Sequence, residues 1–178
     1  MDQKSETPKP RDIGIYSKIL ITRNISLHIV SIGNNVKEIL MKKLSSEIEG
    51  KCIVEGYIKP KSVSILTYSS GVIKGNKILF EIVFECQVCS PVEGMHIRCL
   101  AKNITKAGIR AEIDDGVNST PLVIFVARDH HLITPYFNSV VENNSIIVRV
   151  IGRRFELNDT YICVIAELID PSTLKANK

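Results

Sequence analysis

The stretch Glu93-Gly94-Met95-His96-Ile97-Arg98-Cys99-Leu100-Ala101-Lys102-Asn103-Ile104-Thr105-Lys106-Ala107-Gly108-Ile109-Arg110-Ala111-Glu112-Ile113 decides the fold. It reads as two strands joined by a tight turn. If Ile97, Cys99 and Ala101 face a core, strand alternation turns His96, Arg98 and Lys102 outward. The spacing is that of the opening hairpin of a small Greek-key barrel, a fold that closes its strand edges and whose open face often binds single-stranded nucleic acid.

Downstream, the polar loop 114–120 precedes a third strand at 121–126. A fourth strand is expected near 145–153, and a fifth near 160–168 after the turn Glu156-Leu157-Asn158-Asp159. Five strands in this order fit a five-stranded OB barrel. Upstream, Ile19, Ile21, Ile25, Leu27 and Ile29 alternate over 16–31, with a break near Arg23-Asn24 that suggests a bulge. Gly33-Asn34-Asn35 then offers a turn and helix cap, and Val36, Ile39, Leu40, Leu44 and Ile48 fall on one helical stripe that ends before Gly50. Strands are expected at 51–58, 62–68 and 77–88, the last buried on much of both faces.

The fold class is therefore α+β, mostly β: an N-terminal β-α-β-β-β domain over 15–89 and a C-terminal five-stranded OB barrel over 90–171. Flexible tails are expected at 1–14, where Pro8 and Pro10 interrupt charged residues, and at 172–178. The length of 178 residues accommodates two such units. The preponderance of Ile, with 5 Phe, 5 Tyr and no Trp, favours strands over helices.

Charge is unevenly divided. Residues 1–87 hold 13 Lys/Arg against 9 Asp/Glu, whereas residues 88–178 hold 10 of each. A neutral barrel argues against a strong nonspecific polyanion binder, so any nucleic-acid contact should be modest and salt-sensitive. The polar start lacks the apolar core of a secretory signal, and no apolar run approaches the roughly 20 residues of a membrane span, so an intracellular soluble protein is expected. Five cysteines inside apolar runs suit buried, reduced thiols.

Three short matches occur in order. Leu44-Ser45-Ser46-Glu47-Ile48-Glu49-Gly50-Lys51-Cys52 closes the helix, Phe84 through Glu93-Gly94-Met95 spans the junction, and Lys106-Ala107-Gly108-Ile109 lies in the barrel. Their order and spacing resemble the stalk subunit of multisubunit DNA-directed RNA polymerases, the family of the seventh subunit of eukaryotic RNA polymerase II and its archaeal counterpart. The Ile- and Asn-rich character also resembles polymerase subunits encoded by large cytoplasmic DNA viruses. The resemblance implies a non-catalytic subunit whose N-terminal "tip" docks on large polymerase subunits near the clamp, beside a second small stalk subunit, while the barrel meets nascent single-stranded RNA. It implies the nucleus, or a cytoplasmic viral factory and virion for a viral version. No cofactor is implied.

On this reading the RNA-facing residues are His96, Arg98, Lys102, Lys106, Arg110, Arg128, His131 and Arg149. The partner-facing loops are Lys59-Pro60-Lys61-Ser62 and, within 69–76, Ser69, Ser70, Gly71, Gly75 and Asn76. RNA-binding barrels of this type place exposed aromatic rings at the turn for base stacking; here Ala107 and Arg110 occupy those places. The bland alternative for the cations is a solubilising surface balanced by Glu112, Asp114, Asp129 and Glu142.

Cys86-Gln87-Val88-Cys89 has zinc-ligand spacing but no second ligand pair, so two strand-end thiols are expected. Asp129-His130-His131 lacks a nucleophile with a base, and Lys74-Gly75-Asn76-Lys77 lacks the phosphate-loop pattern. No catalytic or metal residues are assigned. The competing function class is a free-standing OB-fold RNA-binding or translation factor.

Overall fold

In the computed structural model, residues 14–113, 121–131 and 135–171 are described. The expected tails up to residue 13 and over 172–178, and the polar loop 114–120, lie outside them.

The first half comprises β1 (Tyr16–His28), α1 (Val36–Ile48), β2 (Cys52–Ile53), β3 (Gly56–Ile58), β4 (Ser64–Tyr68), β5 (Val72–Lys74) and β6 (Lys77–Cys89). β6 is the hub. One flank pairs antiparallel with β1 from Tyr16 opposite Cys89 to His28 opposite Lys77, and the other carries β3, β4 and β5 in turn. β2 completes the six-stranded sheet through β3. No bulge occurs at Arg23-Asn24; the pairing is one-to-one, with Arg23 half-buried 3.9 Å from Glu55. The chain leaves β1 in a 3-10 turn at Ile29–Ser31 rather than continuing as strand.

From Phe80 to Val88, β6 alternates, burying Phe80, Ile82, Phe84, Cys86 and Val88 on one face with Val83 and Glu85 only half-buried on the other, so the expected burial of both faces is met only at its end, where Cys89 is buried too. Leu40, Leu44 and Ile48 of α1 pack into that buried face. Each fully buried side chain contributes roughly 1.5–3 kcal/mol relative to exposure. Asn35 caps α1 by position, although its side chain bonds Glu38 (3.2 Å) rather than the backbone, and Gly50 ends the helix at φ 71°.

The single strand expected over 51–58 is two, β2 and β3, turned at Val54-Glu55. Gly56 explains the split. Its φ of 139° and the Cys89 carbonyl, with which any Cβ would collide, demand glycine. β5, also unexpected, forms a hairpin with β6 across Gly75-Asn76, with Lys74 opposite Lys77.

The second half comprises β7 (His96–Ile104), β8 (Gly108–Glu112), β9 (Leu122–Ala127), a 3-10 turn (Arg128–His131), α2 (Pro135–Ser139), β10 (Ser145–Arg154) and β11 (Ile162–Ile169). The strands close into a barrel in the order β7-β8-β9-β11-β10 and back to β7, with β9 and β11 parallel. Ile97, Cys99 and Ala101 face its core, together with Ile109, Leu122, Ile124, Val148, Ile162 and Val164. The five strands expected from the sequence are all present, and the barrel fits an OB fold.

The halves touch directly. The Cys52 N–H donates to the Asp159 carbonyl (2.7 Å) and the Asn158 N–H to the Cys52 carbonyl (2.9 Å). Tyr57 and Cys89, paired within the sheet, pack into the barrel core. No described helix is long and apolar enough to cross a membrane.

Candidate nucleic-acid interface

Strand alternation sets the cationic face. On β7, His96 and Arg98 project outward between buried Ile97 and Cys99, and Lys102 follows where the register with β8 slips between Ala101 and Asn103. Lys106 is exposed in the following turn. Among the described residues, the side chains of Arg98, Lys102 and Lys106 take part in no hydrogen bond or ion pair. Their charge is thus available to an anion, and the backbone behind them is held by a closed barrel.

Arg110 and Arg149 are also outward but already neutralised. Arg110 meets Glu112 and Arg149 meets Glu167, each at 2.8 Å. Exposed pairs of this kind contribute about 0–1 kcal/mol to stability, but they lower the local field. Arg149, Glu167, Glu93 and His130 line a cleft of about 430 Å³ with Gly94, Val150 and Ile151, so its wall carries both signs of charge. His96 sits opposite Arg149 in the β7–β10 register, joining this cleft to the cationic face.

Two residues expected at the RNA surface serve the fold instead. His131 is only 6% exposed. Its Nε2 accepts the Leu168 N–H (2.8 Å), which leaves Nδ1 to donate to the Ala127 carbonyl (2.9 Å), and its ring stacks on Phe137 (5.3 Å). A ring so enclosed cannot meet RNA, so the expectation for His131 is corrected. Arg128 is half-buried: Nε donates to the Lys106 carbonyl (2.8 Å), Nη2 to the Thr105 carbonyl (3.3 Å) and Nη1 to Asn138 Oδ1 (3.2 Å). The guanidinium lies 4.8 Å from the centre of the Phe137 ring.

One residue escaped the sequence reading. Phe125, 38% exposed, faces outward on β9 directly opposite Arg110. Its ring lies so close to Gly108 that a Cβ there would stand 2.9 Å from Cζ and collide with the Val126 carbonyl. Gly108 thus lets an aromatic ring lie along β8, beside the cationic turn. Base stacking on such a ring is worth ~1–3 kcal/mol per base. The signal was present in the alternation of Leu122-Val123-Ile124-Phe125-Val126, which puts Phe125 on the outer face.

In the sheet half, several polar groups of the expected partner loops serve the fold itself. Ser62 Oγ donates to the Lys59 carbonyl (2.6 Å) and accepts the Gln87 N–H (3.2 Å); Ser69 Oγ accepts the Glu81 N–H (3.0 Å). Asn76 meets His28 (3.1 Å), Lys59 lies 4.8 Å from the Tyr16 ring centre, and Gly71 packs against Phe80. Pro60 is half-buried, while Lys61, Ser70 and Gly75 remain exposed. Beside the second loop, Leu66, Val72 (59%) and Ile73 (68%) leave apolar surface open to solvent. Val72 and Ile73 are adjacent on β5 and project from its two opposite faces, so the apolar exposure lies on both sides of this short strand.

The thiols divide between the cores. Cys86 packs into the sheet core and Cys89 into the barrel core, so the two side chains of the CxxC sequence point apart. Burial pushes the Cys99 thiol up to about 12 and the Cys86 thiol up to about 11, the latter helped by Glu55. Burial, then the negative charge of Asp159, pushes Cys52 up to about 11. Such groups stay neutral and are poor nucleophiles and ligands. Cys163 departs from the expected burial and is exposed on β11. Among the described residues, no three metal-ligating side chains gather.

The chain thus joins a helix-backed sheet to a closed five-stranded barrel whose β7 carries the side chains of Arg98 and Lys102, partnerless among the described residues. No protein-family model matches the chain. It is 26% identical over 171 residues to an Acanthamoeba polyphaga mimivirus protein provisionally named DNA-directed RNA polymerase subunit L376, covering 89% of this chain and 84% of that one. It is 29% identical over 121 residues to DNA-directed RNA polymerase II subunit 7 of Arabidopsis thaliana, covering 67% of this chain and 64% of the relative. To DNA-directed RNA polymerase II subunit RPB7 of Glycine max it is 26% identical over the same length and shares. The resemblance read from the sequence, to the family of the seventh subunit of polymerase II, is borne out by these relatives.

Proposed function

We propose that this protein is a non-catalytic stalk subunit of a DNA-directed RNA polymerase, docking through its N-terminal sheet and offering its barrel to nascent single-stranded RNA during transcription. One observation carries the reading. Similarity to the mimivirus polymerase subunit runs through 89% of the chain, sheet and barrel together, whereas a free-standing RNA binder would need only the barrel. The exposed apolar residues Leu66, Val72 and Ile73, next to the 69–76 loop, support docking on large polymerase subunits near the clamp. The unpaired Arg98, Lys102 and Lys106, with Phe125 nearby, support a modest RNA surface. A second small stalk subunit would fit the junction, where exposed Val54, Leu157 and Tyr161 flank the bond between Cys52 and Asp159. The compartment is the nucleus, or a viral factory and virion if the gene is viral.

Affinity purification of the tagged full-length chain from its native source, with mass spectrometry of the bound proteins, tests the reading. Co-purifying large polymerase subunits are the expected result. Recovery of ribosomes or RNA without polymerase overturns it in favour of a free-standing RNA-binding or translation factor.

A further inference from the structure

We infer that Arg128 is a positioning residue of the RNA surface: it clamps the 105–107 turn and so presents Lys106, rather than touching RNA itself. The inference rests on the RNA reading above. Arg128 takes up all three carbonyls of the turn, those of Thr105 and Lys106 through its guanidinium and that of Ala107 through its own N–H (3.0 Å). Its third guanidinium bond goes to Asn138 of α2, and it lies over the Phe137 ring, which also stacks with His131. Three of the five guanidinium N–H groups, including Nε–H, are thereby spent on the protein itself, which fixes the fork against the turn rather than aiming it at solvent.

The consequence is electrostatic as well as geometric. Carbonyl oxygens aimed at solvent around Lys106 would repel a phosphate, and Arg128 draws them inward. Lys106 is left as an outward ammonium with no protein partner among the described residues. Within the same turn, Thr105 Oγ1 donates to the Gly108 carbonyl (3.1 Å) and lies 3.3 Å from the Gly108 nitrogen, so the clamp also fixes the glycine under Phe125.

Arg128→Lys separates the roles, because lysine keeps the charge and loses the planar fork. The full-length chain and its Arg128→Lys, Lys106→Ala and doubly substituted forms would be titrated with a short fluorescent oligouridylate across a salt series. Amide exchange at residues 105–108 would be followed in parallel. The expected result is faster exchange in the turn with Arg128→Lys and about tenfold weaker binding. That loss should nearly vanish when Lys106→Ala is already present, a coupling that a purely structural defect would not produce. Unchanged exchange, or losses that simply add, overturns the inference. If the unsubstituted chain shows no salt-dependent binding, the RNA reading fails and the inference falls with it. The two failures are distinguishable because the first leaves unsubstituted binding intact.

Discussion

The N-terminal sheet and the C-terminal barrel treat strand edges in opposite ways. Among the described residues, β1 is a 13-residue strand whose strand pairing is with β6 alone, and the sheet is covered by one helix on one face. In the barrel every strand is paired on both sides. An open sheet offers backbone and apolar surface, the groups that protein partners bind. A closed barrel can be recognised only through side chains, and here those on β7 and the following turn are unpaired cations. On the proposed RNA reading, the local pairing of charge, rather than the net charge of either half, is what would separate an RNA-facing surface from a solubilising one.

The sharpest way to break this comparison is to ask whether the halves unfold separately. Phe84→Ala, in the sheet core, should cost ~3–5 kcal/mol. Because Tyr57 and Cys89 bridge the cores, calorimetry should still show one cooperative transition, whereas Tyr57→Ala should loosen that coupling and broaden the transition. Two resolved transitions in the unsubstituted chain would mean the junction couples little.

Next in size is charge reversal of Arg98, Lys102 and Lys106 to Glu, which should lower the slope of log affinity for oligouridylate against log salt by about 2, near 0.7 for each phosphate no longer neutralised. The same reversal at the neutralised Arg110 and Arg149 should change it far less. Equal effects at both sets would erase the distinction between paired and unpaired cations. A smaller effect concerns pH and spans both halves. The thiols of Cys52, Cys86 and Cys99 have an ordinary value of 9.0 and are raised in the fold to about 11, 11 and 12. Below pH 9 they are neutral in both states. As pH rises further the unfolded chain ionises first, so denaturant midpoints should fall between pH 9 and about 12, and Cys99→Ala should flatten that fall. Smallest of all, Lys18→Ala removes an exposed pair with Glu85 (2.7 Å) and should change stability by less than ~1 kcal/mol.

Much of the architecture was legible because it follows local period. The stripe Val36, Leu40, Leu44, Ile48 gave the helix, and the alternation of Ile97, Cys99 and Ala101 gave the barrel's first strand. What escaped depends on groups distant in sequence. Gly56 breaks a strand because the Cys89 carbonyl approaches it, and Arg23 stays in register because β6 pairs with it from nearly 60 residues away. The site suffered the same limit. His131 and Arg128 looked like surface cations because α2, the short helix carrying the Phe137 that both of them contact, spans too few residues to show a period. Phe125 was readable from alternation, but its ring reaches the β8 surface from a neighbouring strand, where no spacing within the turn could reveal it.

The order of strands in the barrel also bears on synthesis. β11, the last of the five barrel strands in chain order, lies between β9 and β10, both completed earlier. On the ribosome, β7 can already pair with β8 and β10, yet β9 and β10 keep facing, unpaired edges until Ile162–Ile169 emerges. This fifth barrel strand is therefore the latch, and a chain stalled or truncated before Ile162 would expose two sticky edges where the finished barrel has none.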